Sequence, residues 1–119
     1  MSSLPQPRRG EIWLVGLDQT VGSEMAKTRP AVVVSSDSVG ILDVKLVVPL
    51  TGWKAELERC VWHVRVVPDK ANGLDKVDSA DALQTRCVAR ERFIHRIGRV
   101  SGVVLDEIAA AIAVVVEYQ

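Results

Sequence analysis

The chain has 119 residues, the length of one compact domain. Its composition of 48% hydrophobic and 25% charged residues is ordinary for a globular protein and excludes a disordered or low-complexity chain. Lys and Arg total 15 and Asp and Glu total 15, so the formal net charge is +0. The whole molecule therefore offers no positive field for nucleic acid, and any such contact must come from a local patch.

The cysteines and the N-terminal segment indicate where the protein resides. Cys60 and Cys87 match no metal-ligand spacing and are too few for a disulfide scaffold, so we expect two free, partly buried thiols. Residues 1–9 contain no apolar signal sequence, and no uncharged apolar run approaches the ~18 residues of a membrane span. We expect a cytoplasmic protein without membrane contact, forming a single domain over 1–119 with a flexible lead-in over 1–8.

The first half of the chain predicts three strands. Residues 11–15 read as a strand that ends at Gly16, and a polar loop follows over 17–29. The β-branched run 31–35 predicts a strand buried on both faces, and 44–50 predicts another. Polar loops as long as 17–29 are uncommon within small domains and are often functional.

The second half predicts shorter elements. They are a polar loop at 51–60, a strand at 61–67, a turn-rich loop at 68–75, a short strand at 79–84, one helical turn at 89–93 and a last strand at 94–100. Within 61–67 the apolar and polar residues alternate, with Val64 and Val66 on one face and His63 and Arg65 on the other. This alternation predicts a half-exposed strand.

A helix is predicted from Ser101, its N-cap, to about Glu117. Val104, Ile108 and Ile112 recur at helical spacing, and Val115 continues the stripe. The consecutive valines 114–116 make the apolar surface wider than one core-facing stripe requires. Since a small barrel covers only one side of such a helix, we expect a second packing surface, most simply that of a homodimer.

The order of elements, with strands first and one helix last, favours an α+β fold: an antiparallel barrel or curled sheet with a C-terminal helix packed on it. The sequence contains no glycine-rich phosphate motif and no His, Cys or Asp cluster with metal spacing, so neither a cofactor nor a metal is expected. Two features remain. Arg29 precedes Pro30 and a buried strand, and Thr51 lies where an apolar strand opens into a loop.

Several motifs resemble those of a known family. The segment RGEIWLVGLDQTVGSEMAKTRPAVVVSSD, residues 9–37, resembles the signature of the MazF/PemK family of toxin endoribonucleases. The motifs VVPLT at 47–51, ADALQTR at 80–86 and RIGRVS at 96–101 follow in the family's order. The resemblance implies a homodimeric, SH3-like (PemK/CcdB-like) β-barrel that cleaves single-stranded RNA at short sequences without a metal. It also implies growth inhibition through mRNA cleavage and a cognate MazE-like antitoxin that blocks the RNA groove.

The resemblance also assigns candidate site residues. The family's conserved arginine falls on Arg29, its catalytic threonine on Thr51, and Glu24 of its Gly-Ser-Glu loop is the third catalytic candidate. The expected RNA contacts are Ser23, Lys27, Ser36, Trp53, Lys54, Gln84 and Arg86. One position departs from the family: many members have an acidic residue before the glutamine, where this chain has Leu83, with Asp81 nearby.

The chemistry of metal-free RNA cleavage suits these residue types. The 2′-hydroxyl attacks the adjacent phosphate, which requires a proton acceptor, charge to stabilise the phosphorane and a proton donor for the leaving 5′-oxygen. The guanidinium of Arg29 matches two phosphate oxygens but gives up a proton reluctantly, so electrostatic stabilisation is its expected role. The hydroxyl of Thr51 can donate to a phosphate oxygen, and Glu24 or His63 is left to accept the proton.

Other residues allow two readings. Five arginines between 86 and 99 form either a local basic patch or a solvated face with scattered ion pairs. His63 and His95 are more readily exposed bystanders, Trp13 and Trp62 more readily core residues, and Trp53 the candidate for stacking on an unpaired base. A non-catalytic CcdB-like gyrase-binding toxin and an inactive paralogue that sequesters antitoxin are the alternative functions.

Overall fold

The computed structural model describes residues 4–40 and 42–118. Its elements in chain order are β1 (Glu11–Gly16), β2 (Thr28–Val33), β3 (Val44–Gly52), β4 (His63–Val66), β5 (Asp78–Asp81), β6 (Arg86–Ala89), β7 (Phe93–Arg99) and α1 (Gly102–Val115). Short 3₁₀ turns at Ala55–Arg59, Ala82–Gln84 and Arg90–Arg92 connect the later strands. The predicted α+β order, with strands first and a helix last, is confirmed.

The strands pair antiparallel in the order β4-β5-β3-β2-β1-β7, and β6 also pairs with β3. β3 is long enough to serve two partners along one edge: residues 44–47 pair with β6 and residues 50–52 pair with β5. Its other edge pairs with β2. This arrangement curls the sheet into a barrel-like shape whose path runs from β4 to β7, so the predicted small antiparallel barrel is confirmed in that form.

Two strand boundaries differ from those that the apolar pattern predicts. β2 begins at Thr28 rather than Ala31 and ends at Val33, and β3 continues to Gly52. The reason is strand pairing: Thr28 and Arg29 lie opposite Gly16 and Val15 of β1, although neither residue belongs to the apolar run. Arg29 and Thr51 therefore lie within strands and not in the adjoining loops.

The segment 78–92 also differs from the prediction of a single strand at 79–84. β5 ends at Asp81, a 3₁₀ turn follows, and β6 then returns to β3. The Asp81 carboxylate accepts a hydrogen bond from the backbone N–H of Leu83, which caps the turn. β6 was not predicted, whereas the helical turn expected over 89–93 is confirmed as the 3₁₀ turn Arg90–Arg92.

The central strands are buried on both faces. One core cluster lies between the sheet and α1 and includes Ile12, Val32, Val48, Leu105 and Ile108. A second cluster includes Trp13, Val15, Ala31, Val33, Val47 and Phe93. Alternate residues of β1 and β2 thus enter different clusters, as the pleat requires. The prediction of a doubly buried strand at β2, and of a core position for Trp13, is confirmed.

The helix α1 begins as predicted. Ser101 Oγ accepts a hydrogen bond from the backbone N–H of Val104, and Ile108 is fully buried against the sheet. The helix ends at Val115, two residues before the predicted end, and Val115 packs against the core. Val103 and Val114 remain 71% and 50% exposed, so α1 presents apolar side chains outside its core-facing stripe. No helix in the described part of the chain is long and apolar enough to cross a membrane.

The segment 67–74 crosses β7 at very close range. A Cβ atom on Gly98 would lie 2.5 Å from the carbonyl oxygen of Ala71, and one on Gly73, where φ is +67°, would lie 2.4 Å from that of Ile97. Asn72 is 2% exposed and ties the segment together, because its side chain accepts from Leu74 N–H and donates to the Val67 carbonyl. The close crossing and these hydrogen bonds fix residues 73 and 74 relative to β7, and residues 75 and 76 follow them directly.

We predict that Gly98→Ala lowers the free energy of unfolding by about 1–3 kcal/mol, because the added methyl group has to displace backbone atoms of residues 71–72. Gly102→Ala is the matched control, since no atom lies within 4 Å of its Cβ position and alanine favours a helix. Urea denaturation of both variants measures the effect. Equal midpoints for Gly98→Ala and the wild type would contradict the close crossing.

Candidate active site

A cleft of about 200 Å³ opens beside the start of β2, the end of β3 and the segment 73–78. Among its lining residues are Arg29, Thr51, Asp75, Lys76 and Asp78. The pairing of the strands explains why the first two meet. Ala31 lies opposite Pro49, and extending this antiparallel register by two residues brings Arg29 opposite Thr51. The structure therefore brings two of the three predicted catalytic residues into one cleft.

Arg29 is half-buried and partly restrained. Its Nε donates a hydrogen bond to the carbonyl oxygen of Ala26, at 3.1 Å. Its two terminal nitrogens have no hydrogen-bond or ion-pair partner among the described residues, so they are available to an anion. A guanidinium held by Nε presents its remaining donors as a fork, the geometry that matches two phosphate oxygens.

Thr51 lies near the end of β3, opposite Ser79 of β5, and is half-buried. Within the described ranges its hydroxyl makes no hydrogen bond to protein, so it can donate to a ligand in the cleft. Gly52 follows directly, and the absence of a side chain there leaves room for the amino group of Lys76: a Cβ atom on Gly52 would lie 3.2 Å from Lys76 Nζ.

The sequence reading did not single out the charged residues on the opposite wall of this cleft. Lys76 Nζ lies 2.8 Å from Asp78 Oδ1, with 68% of the lysine side chain and 6% of the aspartate side chain exposed. Asp75 is exposed. The available signal was the short spacing of Lys76 and Asp78: Lys76 lies in the bend just before β5, and Asp78 is the first residue of that strand. Their contact with Gly52 depends on the β3–β5 pairing, which local sequence does not reveal.

Glu24 lies elsewhere. A second cleft, of about 430 Å³, is lined by Ser23, Glu24, Leu83, Gln84, Thr85 and Arg86. Gln84 joins its two walls, because its side chain accepts from Met25 N–H at 3.1 Å and donates to the Ser23 carbonyl at 3.0 Å. Glu24 Oε1 accepts from Val21 N–H within its own loop. Three predicted RNA contacts thus share this cleft with Glu24, and Glu24 is not among the residues that line the Arg29–Thr51 cleft.

The other predicted RNA contacts line neither cleft. Lys27 is exposed at a positive φ of 66°, and Ser36 is exposed and shares a hydrogen bond with Ser38. Trp53 is half-buried, with the guanidinium carbon of Arg65 5.6 Å from its ring centroid. Lys54 is exposed just before a 3₁₀ turn. Trp53 instead lines a groove of about 650 Å³ between β4 and α1.

His63 is not the exposed side chain that the alternation of β4 predicts, because only 8% of it is exposed. Its Nδ1 lies 2.8 Å from Ser79 Oγ and its Nε2 lies 3.6 Å from an Asp81 carboxylate oxygen. Both partners come from β5, the strand paired beside β4, in which Asp81 lies directly opposite His63. His95 is exposed, and Trp62 packs against the core, both as predicted.

The arginines between 86 and 99 bind the chain itself. Arg92 donates to the Gly16 and Asp18 carbonyls, and Arg86 donates to the Leu17 carbonyl. The other three act similarly: Arg90 binds Asp43 and the Leu4 and Pro5 carbonyls, Arg96 pairs with Glu11, and Arg99 donates to the Arg9 carbonyl. The sequence allowed either a basic patch or a face with scattered ion pairs, and the structure shows the arginines paired within the chain.

Residues 1–3 lie outside the described residues, and the flexibility expected of 1–8 stays a prediction.

The described residues contain no group of three or more His, Cys, Asp or Glu side chains that could hold a metal ion. Cys60 and Cys87 are both free thiols. Cys60 is partly buried, as predicted, whereas Cys87 is exposed on β6, contrary to the prediction. The side chains that line the main cleft include cations, carboxylates and threonine hydroxyls.

Comparison with known proteins identifies the family. A profile described as "PemK-like, MazF-like toxin of type II toxin-antitoxin system" matches residues 8–116. The chain belongs to this toxin family. It is 39% identical over 112 residues to "Endoribonuclease MazF9" of Mycobacterium tuberculosis, covering 88% of this chain and 92% of that protein.

Solved structures show the same fold. MazF from Deinococcus radiodurans superposes with a TM-score of 0.77 at 20% identity, covering 93% of this chain and 96% of that one. An "Endoribonuclease in complex with its cognate antitoxin from Mycobacterial species" superposes with a TM-score of 0.76 at 16% identity, covering 96% and 98%. The resemblance drawn from the sequence motifs is thereby confirmed.

Proposed function

We propose that this MazF-like toxin is an endoribonuclease that cleaves single-stranded RNA, in particular mRNA in the cytoplasm, within the Arg29–Thr51 cleft. The observation that carries the proposal is the juxtaposition of an arginine with unpartnered terminal nitrogens and a threonine with an unpartnered hydroxyl in one small cleft. The profile match and the 39% identity to a protein named an endoribonuclease support the activity.

The cleft suits attack by the RNA's own 2′-hydroxyl. In that reaction the phosphate gains negative charge as the 2′-oxygen bonds to phosphorus, and the P–O5′ bond then breaks. In this proposal Arg29 binds two phosphate oxygens through its terminal nitrogens, and Thr51 donates one hydrogen bond to the same group. Support comes from the presence of both residues in the lining of one cleft. Both interactions strengthen as the charge develops, which is the requirement for accelerating the reaction.

We assign the recognition of neighbouring nucleotides to the second cleft. Ser23, Gln84 and Arg86 offer polar contacts there, and Leu83, 61% exposed, offers an apolar one at the position where many family members have an acid. An exposed leucine cannot accept hydrogen bonds from a base edge, so the base preference at this cleft should differ from that of members with the acid. Lys27, Ser36, Trp53 and Lys54 as RNA contacts remain proposals carried by the resemblance. Glu24 is the proton acceptor that the resemblance implies, although it lines the second cleft and not the Arg29–Thr51 cleft.

A partner chain and a second copy complete the proposal. The mycobacterial endoribonuclease described above was solved with its cognate antitoxin, and we propose that a MazE-like antitoxin neutralises this toxin likewise.

We propose a homodimer because α1 presents Val103 and Val114 to solvent, outside its core-facing stripe. Burying them against a second copy would remove apolar surface from water.

Incubation of the purified protein with a long single-stranded RNA in EDTA should give discrete fragments ending in a 2′,3′-cyclic phosphate, or its opened form, with 5′-hydroxyl partners. An RNA with a 2′-deoxy nucleotide at the cleavage position should resist, because it lacks the attacking group. Mapping the fragment ends on one defined RNA gives the sequence preference. Normal cleavage of the deoxy substrate would contradict the 2′-hydroxyl mechanism, and no cleavage at all would favour a binding toxin or an inactive paralogue.

Arg29→Ala should lower the single-turnover cleavage rate by about 10²–10³-fold, because it removes a bidentate cation from the charged transition state. Thr51→Val is nearly isosteric and removes one hydroxyl. It should therefore slow cleavage less than Arg29→Ala does, by about 1–3 kcal/mol of transition-state stabilisation. Arg29→Lys keeps the charge but loses the fork and should also be slow. Arg59→Ala, an exposed arginine outside both clefts, is the control. A folded Arg29→Ala with the wild-type rate would remove Arg29 from the catalytic assignment.

Light scattering at micromolar concentration should give a mass near twice the 13.0 kDa of one chain. Val114→Asp should shift the protein towards the monomer, because it places a charge on the exposed apolar face of α1. Ala109→Asp introduces the same charge at an exposed position on a different face of the helix and should leave the dimer intact. A wild-type monomer would contradict the dimer, and equal effects of the two substitutions would place the interface elsewhere.

A further inference from the structure

The proposed reaction leaves two proton transfers unassigned: one proton must leave the 2′-hydroxyl and another must reach the 5′-oxygen. Arg29 holds its protons too tightly to donate one readily. Glu24 lines the second cleft, and His63 is enclosed by Ser79 and Asp81. The groups that exchange protons with the RNA should therefore be sought among the other residues of the Arg29–Thr51 cleft.

Lys76 is held next to Thr51 by a specific arrangement. Its ammonium group lies over Gly52, which has no side chain, and 2.8 Å from the carboxylate of Asp78. Asp78 is fixed because its side chain is 6% exposed and its backbone pairs with both Gly52 and Val66. An ammonium group carries three protons. One points to Asp78, and the others remain available in a side chain that is 68% exposed.

Asp75 is the second group in the cleft able to exchange a proton. It is an exposed carboxylate that lines the cleft, and it has no hydrogen-bond or ion-pair partner among the residues in 4–40 and 42–118. The other carboxylate of the cleft, Asp78, is buried and occupied by Lys76. Asp75 and Lys76 are adjacent in the chain, at a bend of the backbone, and both line the cleft. Two groups in one cleft can contact different oxygens of one phosphodiester.

We propose that Lys76 donates the proton that the leaving 5′-oxygen takes up, and that Asp75 accepts the proton of the attacking 2′-hydroxyl. The O2′–P bond forms to give the phosphorane, and the P–O5′ bond then breaks. The electron pair of the broken bond stays on the 5′-oxygen, which receives a proton from Lys76 Nζ. The products are a 2′,3′-cyclic phosphate and a 5′-hydroxyl, and both side chains then regain their protonation states from water. Asp78 is a positioning residue that holds the ammonium group. This inference rests on the proposed endoribonuclease function.

A substrate with sulfur in place of the scissile 5′-oxygen tests the role of Lys76, because a thiolate leaves without being protonated. On normal RNA, Lys76→Met should reduce the single-turnover rate by about 10²-fold or more. On the sulfur-containing RNA, Lys76→Met should cleave within a few-fold of the wild type, and Asp78→Asn should show the same rescue. Arg29→Ala should stay slow on both substrates, because the phosphorane still needs its charge neutralised.

Two further variants separate proton donation from charge alone. Lys76→Arg keeps a cation but donates a proton poorly, so it should resemble Lys76→Met on normal RNA. Lys70→Met removes an exposed lysine of the same loop that lines neither cleft and should keep the wild-type rate on both substrates. Equal losses for Lys76→Met on both substrates, or a wild-type rate on normal RNA, would overturn the donor role.

Asp75→Asn should be slow on both substrates, because the 2′-hydroxyl must lose its proton whichever atom leaves. Its rate should rise tenfold per pH unit, since hydroxide then replaces the missing base. If Glu24→Gln and not Asp75→Asn gives this behaviour, Asp75 is not the acceptor. A wild-type protein that cleaves neither substrate contradicts the endoribonuclease function itself, whereas wild-type cleavage with full activity in Lys76→Met and Asp75→Asn contradicts only this inference.

Discussion

β3 forms hydrogen-bonded ladders with three other strands. The positions of both clefts depend on which residues of β3 pair with each of these strands. β2 occupies one edge, while β5 and β6 occupy successive parts of the other. The β2 pairing brings Arg29 towards Thr51, and the β5 pairing brings Asp78 and Lys76 towards Gly52. The 3₁₀ turn that moves the chain from β5 to β6 carries Gln84 into the second cleft. A single backbone ladder thus positions residues that are distant in sequence.

The apolar pattern predicts most of the fold because much of it is recorded locally. β1, the buried part of β2 and the helix each have a continuous or periodic apolar stretch, and Ser101 caps α1 as its residue type indicates. The pattern fails where non-local pairing decides the structure. Thr28 and Arg29 are polar, yet they join β2 because β1 pairs with them, and β6 forms because β3 has an edge left for it.

The residues of the candidate site also fall into those that the local sequence reveals and those that depend on non-local pairing. Arg29 and Thr51 could be found from the sequence because they lie in motifs of the family. Lys76 could not, since its significance comes from its contact with Asp78 and from the space above Gly52. His63 shows the opposite failure: alternation in β4 predicts an exposed ring, but Ser79 and Asp81 of the neighbouring strand enclose it. The burial of a polar side chain depends on which strand lies beside it, and that information is distributed over the chain.

The arginines that bind backbone carbonyls and carboxylates have a consequence for turnover. Arg90 and Arg92 donate to internal carbonyl and carboxylate oxygens, so their guanidinium groups are held against the fold. Combined with a net charge of +0, this leaves little general attraction for polyanions. Under the proposed function, affinity for RNA is then concentrated in the two clefts. Such a distribution favours release of the cleaved products, and search through a pool of transcripts, over retention on RNA that does not fit the clefts.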